Sequence, residues 1–303
     1  MRVIIAGGSG LIGRALTAKL AQEGHEIFIL SRNPEKVQGL PSGASAFGWD
    51  GRTSHGWGPL VDGDTALVNL AGENVGAGRW TALRKQRIEE SRLDAGRAVC
   101  EAVAKAKELP KVLLQSSAVG FYGSRGDLPL EESACPGDDF LARTCLAWEA
   151  STEPVAKAGV RRVILRTGVV LSRTGGAFPK LLMPFRFFAG GRLGDGKQWL
   201  PWIHLQDEVR AIRFLLLRET AEGPYNLAAP APVTNAELTT WLAKLTGRPA
   251  WLPAPRFGMR LALGEMAEMV LGSQRASAAR LLQEGFEFRF PEIESALRDL
   301  LGS

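Results

Sequence analysis

The chain opens on a continuous apolar run, Val3-Ile4-Ile5-Ala6, followed at once by glycines and then by an amphipathic stretch from Arg14 to Glu23. Similar short apolar runs recur at spacings that leave room for a helix between them. The pattern predicts strands at 2–6, 25–30, about 44–49, about 64–70, 111–116 and 162–166. Helices are predicted over roughly 80–107 and 139–158. Strands alternating with helices imply βαβ units, and hence a parallel sheet covered on both faces. Ligands of such sheets gather beyond the carboxyl ends of the strands. The chemistry should therefore lie just after the strands that end near 6, 70, 116 and 166.

After Leu171 the pattern changes. Residues 172–200 are rich in Gly, Arg and aromatic side chains, and they read as a long, partly mobile excursion over a site. Trp202 to Leu217 returns to an apolar pattern, and Pro224 to Ala228 reads as a late strand. From Pro230 the chain is helical and punctuated by proline, with helices at 234–245, 259–271 and 276–283. The expected fold class is α/β, a Rossmann-type doubly wound parallel sheet. The Rossmann domain spans 1–171 and is completed by about 202–228. A lid follows at 172–201, and a small, mostly helical C-terminal substrate lobe occupies 229–303.

The first turn names a ligand class. Gly7, Gly10 and Gly13 form Gly-x-x-Gly-x-x-Gly directly between an apolar strand and a helix. Gly7 permits the tight turn, Gly10 lets the backbone approach a pyrophosphate, and Gly13 lets helix and strand pack closely. The helix N-terminus then offers N–H groups and partial positive charge to phosphates, with Ser9, Leu11 and Ile12 beside them. The second strand ends in Ser31-Arg32-Asn33, where an NAD site usually places Asp or Glu against the ribose 2′-hydroxyl. A hydroxyl followed by Arg suits a 2′-phosphate instead, because guanidinium pairs bidentately with phosphate. The expected cofactor is NADP(H).

Composition narrows the remaining classes. The 303 residues are 45% hydrophobic and 23% charged, enough for one large core and a smaller lobe. No apolar run approaches the roughly 20 residues of a membrane span, and the N-terminus lacks a signal-peptide layout. Cys100, Cys135 and Cys145 are odd in number and not in metal-ligand spacing, so reduced thiols, a cytoplasmic location and no metal are expected. The net charge of +5 is dispersed. Its densest cluster, Arg84 to Arg87, runs straight into Glu89-Glu90 and reads as a solvated helix face rather than a nucleic-acid patch. The expected partners are a small-molecule substrate and, for a homodimer, a second copy. Neither nucleic acid nor membrane is expected, and a monomer remains an alternative.

Several further segments carry a resemblance. They are Asn69-Leu70-Ala71-Gly72, Arg79-Trp80, Ser117 to Gly123, Arg166 to Leu171, Trp202 to Asp207 and Leu281 to Phe286. With the glycine loop they resemble the extended branch of the short-chain dehydrogenase/reductase superfamily. The likeness is greatest to its YfcH-like NAD(P)-dependent epimerase/dehydratase-like family. It covers nearly the whole chain. It implies an NADP-binding epimerase, dehydratase or reductase, with cofactor contacts at Leu70, Ala71, Gly72, Ser116, Thr167 and Val169. It supplies no substrate.

That superfamily normally does its proton chemistry with a Tyr-x-x-x-Lys pair on the helix after the fifth strand. The Lys holds the nicotinamide ribose and lowers the Tyr pKa. This chain has two tyrosines, Tyr122 and Tyr225, and four places on stand Gly126 and Ala229. If Glu149 aligns with the acidic residue that often follows the pair, its two positions fall on Leu141 and Cys145. The resemblance implies that the YfcH-like family replaces the pair too. The expected substitutes are Ser117 and Tyr122, with His204 as a further acid. Each has a plainer reading: a packed Tyr ring, or a hydrogen-bonded structural His. Glu73 and Asn74 either face substrate or form an Asx-type turn. Asp207 is expected to cap the helix that follows it. Trp80, Trp199 and Trp202 either wall a pocket or pack in the core.

Two functions fit. One is an NADP(H)-dependent oxidoreductase or epimerase acting on a small polar metabolite, for which a sugar derivative is a candidate. The other is a non-catalytic NADP(H)-binding protein that senses redox state. The missing pair favours the second. The polar cluster after the fifth strand and the glycine-rich excursion favour the first.

Overall fold

In the computed structural model, which describes residues 1–302, seven strands form one sheet. They are β1 (Arg2–Ala6), β2 (Glu26–Ser31), β3 (Ala44–Gly48), β4 (Thr65–Asn69), β5 (Val112–Ala118), β6 (Arg161–Thr167) and β7 (Gly223–Leu227). Their order in space is β7-β6-β5-β4-β1-β2-β3, and every neighbouring pair is parallel. The doubly wound α/β expectation is borne out. The chain runs outward from β1 to β3 and then crosses back to β4. The reversal leaves a crevice between β1 and β4, where such sheets take their ligands.

The labelled helices are α1 (Leu11–Gln22), α2 (Ala82–Lys105), α3 (Phe140–Ala150), α4 (Phe178–Arg186), α5 (Leu205–Leu217), α6 (Asn235–Thr246), α7 (Arg256–Leu263) and α8 (Ile293–Leu301). Alternation along β1 explains the two layers. Val3 and Ile5 point to one face, where Leu16, Leu20 and Ile212 of α1 and α5 cover them. Ile4 and Ala6 point to the other face, with Ala95, Ala98, Val99 and Ala102 of α2. The small side chains let α2 lie close to the sheet. Each face buries its apolar side chains from water, the main term favouring the fold.

A second core joins distant stretches of chain. Phe178, Leu182 and Phe185 of α4 pack with Leu238 and Leu242 of α6 and with Ile293, Leu297 and Leu300 of α8. Two local differences from the sequence reading have physical causes. The helix expected over 139–158 breaks after Ala150 and resumes at Glu153 with Pro154 in its first turn, a position where proline's missing N–H costs nothing. Residues Val169–Ser172 form a short strand parallel to Trp202–His204, which ties the start of the excursion to its end.

Candidate functional site

Register assembles the carboxyl edge. Ala6 stands level with Leu30 and Asn69, Asn69 with Gln115, and Ser117 with Arg166. The residues that follow, Gly7, Ser31, Leu70, Ser116 and Thr167, therefore share one rim of the sheet. Gly7 takes φ +78°, and a Cβ there would meet the Leu70 carbonyl at 2.8 Å, so this corner admits only glycine. A Cβ on Gly13 would stand 2.5 Å from Gly8 Cα, which marks how tightly α1 rests on the loop. Gly10 is different. Its Cβ would meet nothing closer than Gly7 O at 3.3 Å, so the space beyond the α1 N-terminus is open. No acidic residue occupies the first turn of α1, and no side chain caps it. Ser9 and Gly10 are exposed at this tip. The cradle fits a pyrophosphate.

Other expected residues close around this rim. Leu11 is overlaid by the turn at Gly175-Gly176, where a Cβ on Gly176 would approach Leu11 Cδ2 at 3.1 Å. Ile12 packs on the sheet core. At the far side, the Ser31 hydroxyl accepts from the Asn33 N–H at 3.2 Å. Arg32 is exposed and, among the described residues, has no ion-pair partner.

Beneath β5 lies a buried polar network that sequence reading missed. Ser117 Oγ donates to Glu149 Oε1 at 2.6 Å. Arg166 grips the same carboxylate with two bonds, of 2.9 and 3.0 Å. Its Nη1 reaches the Tyr122 hydroxyl at 3.1 Å and the Glu132 carbonyl at 2.9 Å. Tyr122 in turn donates to Asn226 Oδ1 at 2.7 Å. Burial works against the Arg166 charge, but Glu149 and Tyr122 outweigh it and hold its pKa above the usual range. Burial also raises the Tyr122 pKa, against the pull of Arg166.

This geometry departs from the proton-donor reading of Tyr122. The phenol is 0% exposed and its hydrogen is committed to Asn226. Ser117 is likewise buried, with its hydrogen committed to Glu149. Asn226 could not be associated with Tyr122 from sequence, because the two lie 104 residues apart in the chain. His204 is not brought to these groups. It caps α5, accepting the Gln206 N–H at Nδ1 (3.2 Å), and packs on Phe290 with ring centroids 4.1 Å apart. Burial lowers its pKa, opposed by Asp299. Contrary to expectation, Asp207 does not cap the helix, because His204 does. Instead it accepts the backbone N–H groups of Arg289 and Phe290, both at 2.8 Å, and so pins the C-terminal segment to α5.

The two positions reached by aligning on Glu149 hold neither Tyr nor Lys. Leu141 and Cys145 on α3 face Gly120, where an added Cβ would lie 3.5 Å from Leu141 Cβ and 3.9 Å from Cys145 Sγ. Burial pushes the Cys145 thiol up to about 11, and the chief opposing influence is the charge of Arg92. Arg92 reaches in from α2. It stacks on Trp148 at 4.7 Å and donates to the Glu73 carbonyl at 3.2 Å. A Cβ on Gly72 would touch its Cζ at 3.1 Å. The guanidinium thus runs between the Gly72 backbone and the Cys145 side of α3.

The loop after β4 carries the remaining candidates. Asn74 Oδ1 accepts the Gly76 N–H at 2.9 Å, an Asx-type turn. Glu73 pairs with Arg84 at 3.4 Å. Lys180 of α4 donates to the Gly76 carbonyl at 2.9 Å, which brings the excursion onto this loop. Trp80 is half-buried and packs edge-on against Phe140. Trp202 is core. Trp199 instead lines a cavity of about 600 Å³, with Asp127, Asp195, Lys197 and Arg256 among its other walls. None of the expected cofactor residues lines that cavity.

Comparisons with known proteins agree with this architecture. Residues 3–228 match the NAD dependent epimerase/dehydratase family, and residues 254–300 match a domain of unknown function, DUF1731. Epimerase family protein YfhF of Bacillus subtilis is 37% identical over 99% of this chain and 98% of its own length. The human epimerase family protein SDR39U1, whose crystal structure (isoform 2) was solved with NADPH, superposes with a TM-score of 0.87 at 34% identity, covering all of both chains. The chloroplastic SDR39U1 homolog of Arabidopsis thaliana is 36% identical over 99% of this chain and 87% of its own. By its fold, its glycine cradle and these relatives, the chain belongs to the NAD-dependent epimerase/dehydratase family.

Proposed function

We propose that this chain binds NADP(H) and acts as an oxidoreductase of the epimerase/dehydratase type on a small polar metabolite. In this reading the open N-terminus of α1, with Gly7 to Gly13, holds the pyrophosphate. Ser31 and Arg32 hold the 2′-phosphate, a role for which the exposed, unpaired Arg32 is suited. Leu70 to Gly72, Ser116, Thr167 and Val169 wall the rest of the rim. The human relative solved with NADPH supports the choice of dinucleotide. When bound, NADP(H) supplies or accepts a hydride.

The observation that carries the reading is Arg92. Its guanidinium lies against Gly72 and directs positive charge toward Cys145, the position a ribose-holding lysine would otherwise occupy. Arg92 fixes that end of the cofactor and keeps a cation there without a phenol beside it. Ser117 and Glu149 act as positioning residues, since their hydrogen bond and the Arg166 pair set the shape of the β5 end.

Arg92→Met should weaken NADPH binding about tenfold by calorimetry, a change of about 1.4 kcal/mol, with the chain still folded at the assay temperature by far-ultraviolet circular dichroism, although the loss of the Trp148 stack and the Glu73 bond lowers its melting temperature. Unchanged affinity would remove Arg92 from the site. NADPH consumption should also appear with at least one member of a panel of small carbonyl compounds. The redox-sensing alternative is favoured by one observation, the commitment of both the Tyr122 and Ser117 hydrogens to buried partners. Tight NADPH binding with no turnover across the panel would select it.

A further inference from the structure

Seen from outside, most of the large hydrophobic side chains that stand exposed belong to the excursion and the C-terminal lobe. Phe187 is 75% exposed, Trp251 67%, Phe257 75% and Leu261 76%, with Phe188 and Leu252 half open beside them. The two segments are stitched together. The Leu252 N–H donates to the Gly190 carbonyl at 3.0 Å, and the Ala254 N–H to the Arg192 carbonyl at 2.9 Å. Apolar surface gathered in this way marks an interaction face more often than a chance exposure.

The aromatic tip is held in place. Phe188 has φ +58°, the one positive value at a non-glycine among the described residues. That backbone region is unfavourable for a bulky L-residue and persists only where neighbours enforce it. Here Trp251 donates its indole N–H to the Phe188 carbonyl at 3.1 Å, and Arg248 stacks on the Phe188 ring at 4.1 Å. The ring is therefore presented outward rather than left loose.

Charge on the same face is predominantly basic, with Asp195 and Glu268 at its borders. From 181 to 194 the charged residues are Arg186 and Arg192, and from 245 to 264 they are Arg248, Arg256 and Arg260. Arg260 pairs with Glu268 at 2.9 Å and Arg256 approaches Asp195 at 4.0 Å, both acids from outside these segments. Arg186, Arg192 and Arg248 have no ion-pair partner among the described residues.

We propose that this face docks on an anionic lipid surface. Aromatic and leucine side chains enter the boundary between headgroups and acyl chains, while arginines meet anionic headgroups. The basic sign argues against a second copy as occupant, because a two-fold contact would set these arginines against themselves. A spanning helix is not needed, and among the described residues no helix is long and apolar enough to cross a membrane. The sequence reading set membranes aside for want of such a run, a criterion blind to surface docking. The proposal is independent of what occupies the dinucleotide cradle.

Co-sedimentation of the full chain with vesicles tests it. Phosphatidylcholine vesicles carrying about one-third phosphatidylglycerol should pellet the protein, and raised salt should weaken this. Vesicles of phosphatidylcholine alone should retain little. The Phe187→Ser/Phe257→Ser/Leu261→Ser variant should lose about tenfold or more in partitioning. Its melting curve should be unchanged, because the three side chains are exposed. Arg186→Glu/Arg248→Glu should lose the preference for the anionic vesicles, and keeps the test decisive if the triple variant folds poorly. No pelleting with anionic vesicles, or equal pelleting with both kinds, would overturn the proposal. So would a concentration-dependent dimer that the triple variant abolishes without any vesicle binding.

Discussion

In the proposed function, Arg32 is the group that selects between two dinucleotides, with one guanidinium. Sequence placed it at the end of β2, and in the structure it stands exposed and unpaired, free to meet a phosphate. Arg32→Ala should remove about 1–3 kcal/mol of preference for NADPH over NADH, the scale of a charge-assisted hydrogen bond. Calorimetry with both cofactors checks this, and equal wild-type affinities would refute it. Tyr122 shows the opposite relation between sequence and structure. As one of two phenols, after the right strand, it was the natural proton donor to expect. Its hydroxyl is instead a strut between Arg166 and Asn226. Tyr122→Phe leaves both buried partners short of a hydrogen bond. It should cost about 1–3 kcal/mol in urea unfolding while leaving NADPH affinity intact. A large fall in turnover at unchanged stability would restore the donor role.

At the scale of elements, what was legible follows from local rules. Short continuous apolar runs located the sheet strands within a residue or two, and the glycine spacing located the turn into α1. Both signals lie within a dozen residues of chain. What was missed depends on partners far away in sequence. The strand Val169–Ser172 exists because Trp202–His204 lies beside it. Glu149 served only to place the missing pair, and Arg166 only opened a resembling segment; nothing in the sequence joined them, yet register sets Arg166 level with Ser117 and completes a buried pair. One missed element did carry a signal. Ile293, Ala296, Leu297 and Leu300 of α8 fall on one helical stripe, and all four are buried. Residues 172–200 remain the element most open to test. Gly175-Gly176 overlies Leu11, and Lys180 ties α4 to the loop after β4. Amide exchange across this segment should slow when NADPH and a true substrate are bound together. Unchanged protection under every ligand would make it a fixed structural loop.

At the scale of the whole molecule, two cores meet across α5, and the contact is polar as well as apolar. Asp207 on its first turn holds the chain before α8, while the next residue, Glu208, turns into the sheet. Glu208 lies on the stripe of Ile212 and Leu215, a position where an acid is out of pattern. It is fully buried, accepts the Thr167 hydroxyl at 2.8 Å, and has no partner at Oε2. Burial pushes its pKa up to about 8, from an ordinary 4.5. Between those values the folded chain keeps a proton that the unfolded chain has released. The contribution of Glu208 to stability is thus whole below its unfolded pKa and lost as pH rises toward its folded pKa. The loss runs at about 1.4 kcal/mol per pH unit. His204 acts on the other flank: its lowered pKa removes stability as pH falls and the unfolded imidazole takes up a proton. Comparing Glu208→Gln with wild type isolates the first effect, because His204 is common to both. The variant should gain on wild type steadily from about pH 5 to about pH 8 and run parallel above that. Urea midpoints measured across the range would show the slope. A constant offset at every pH would mean that Glu208 enters the fold already ionised.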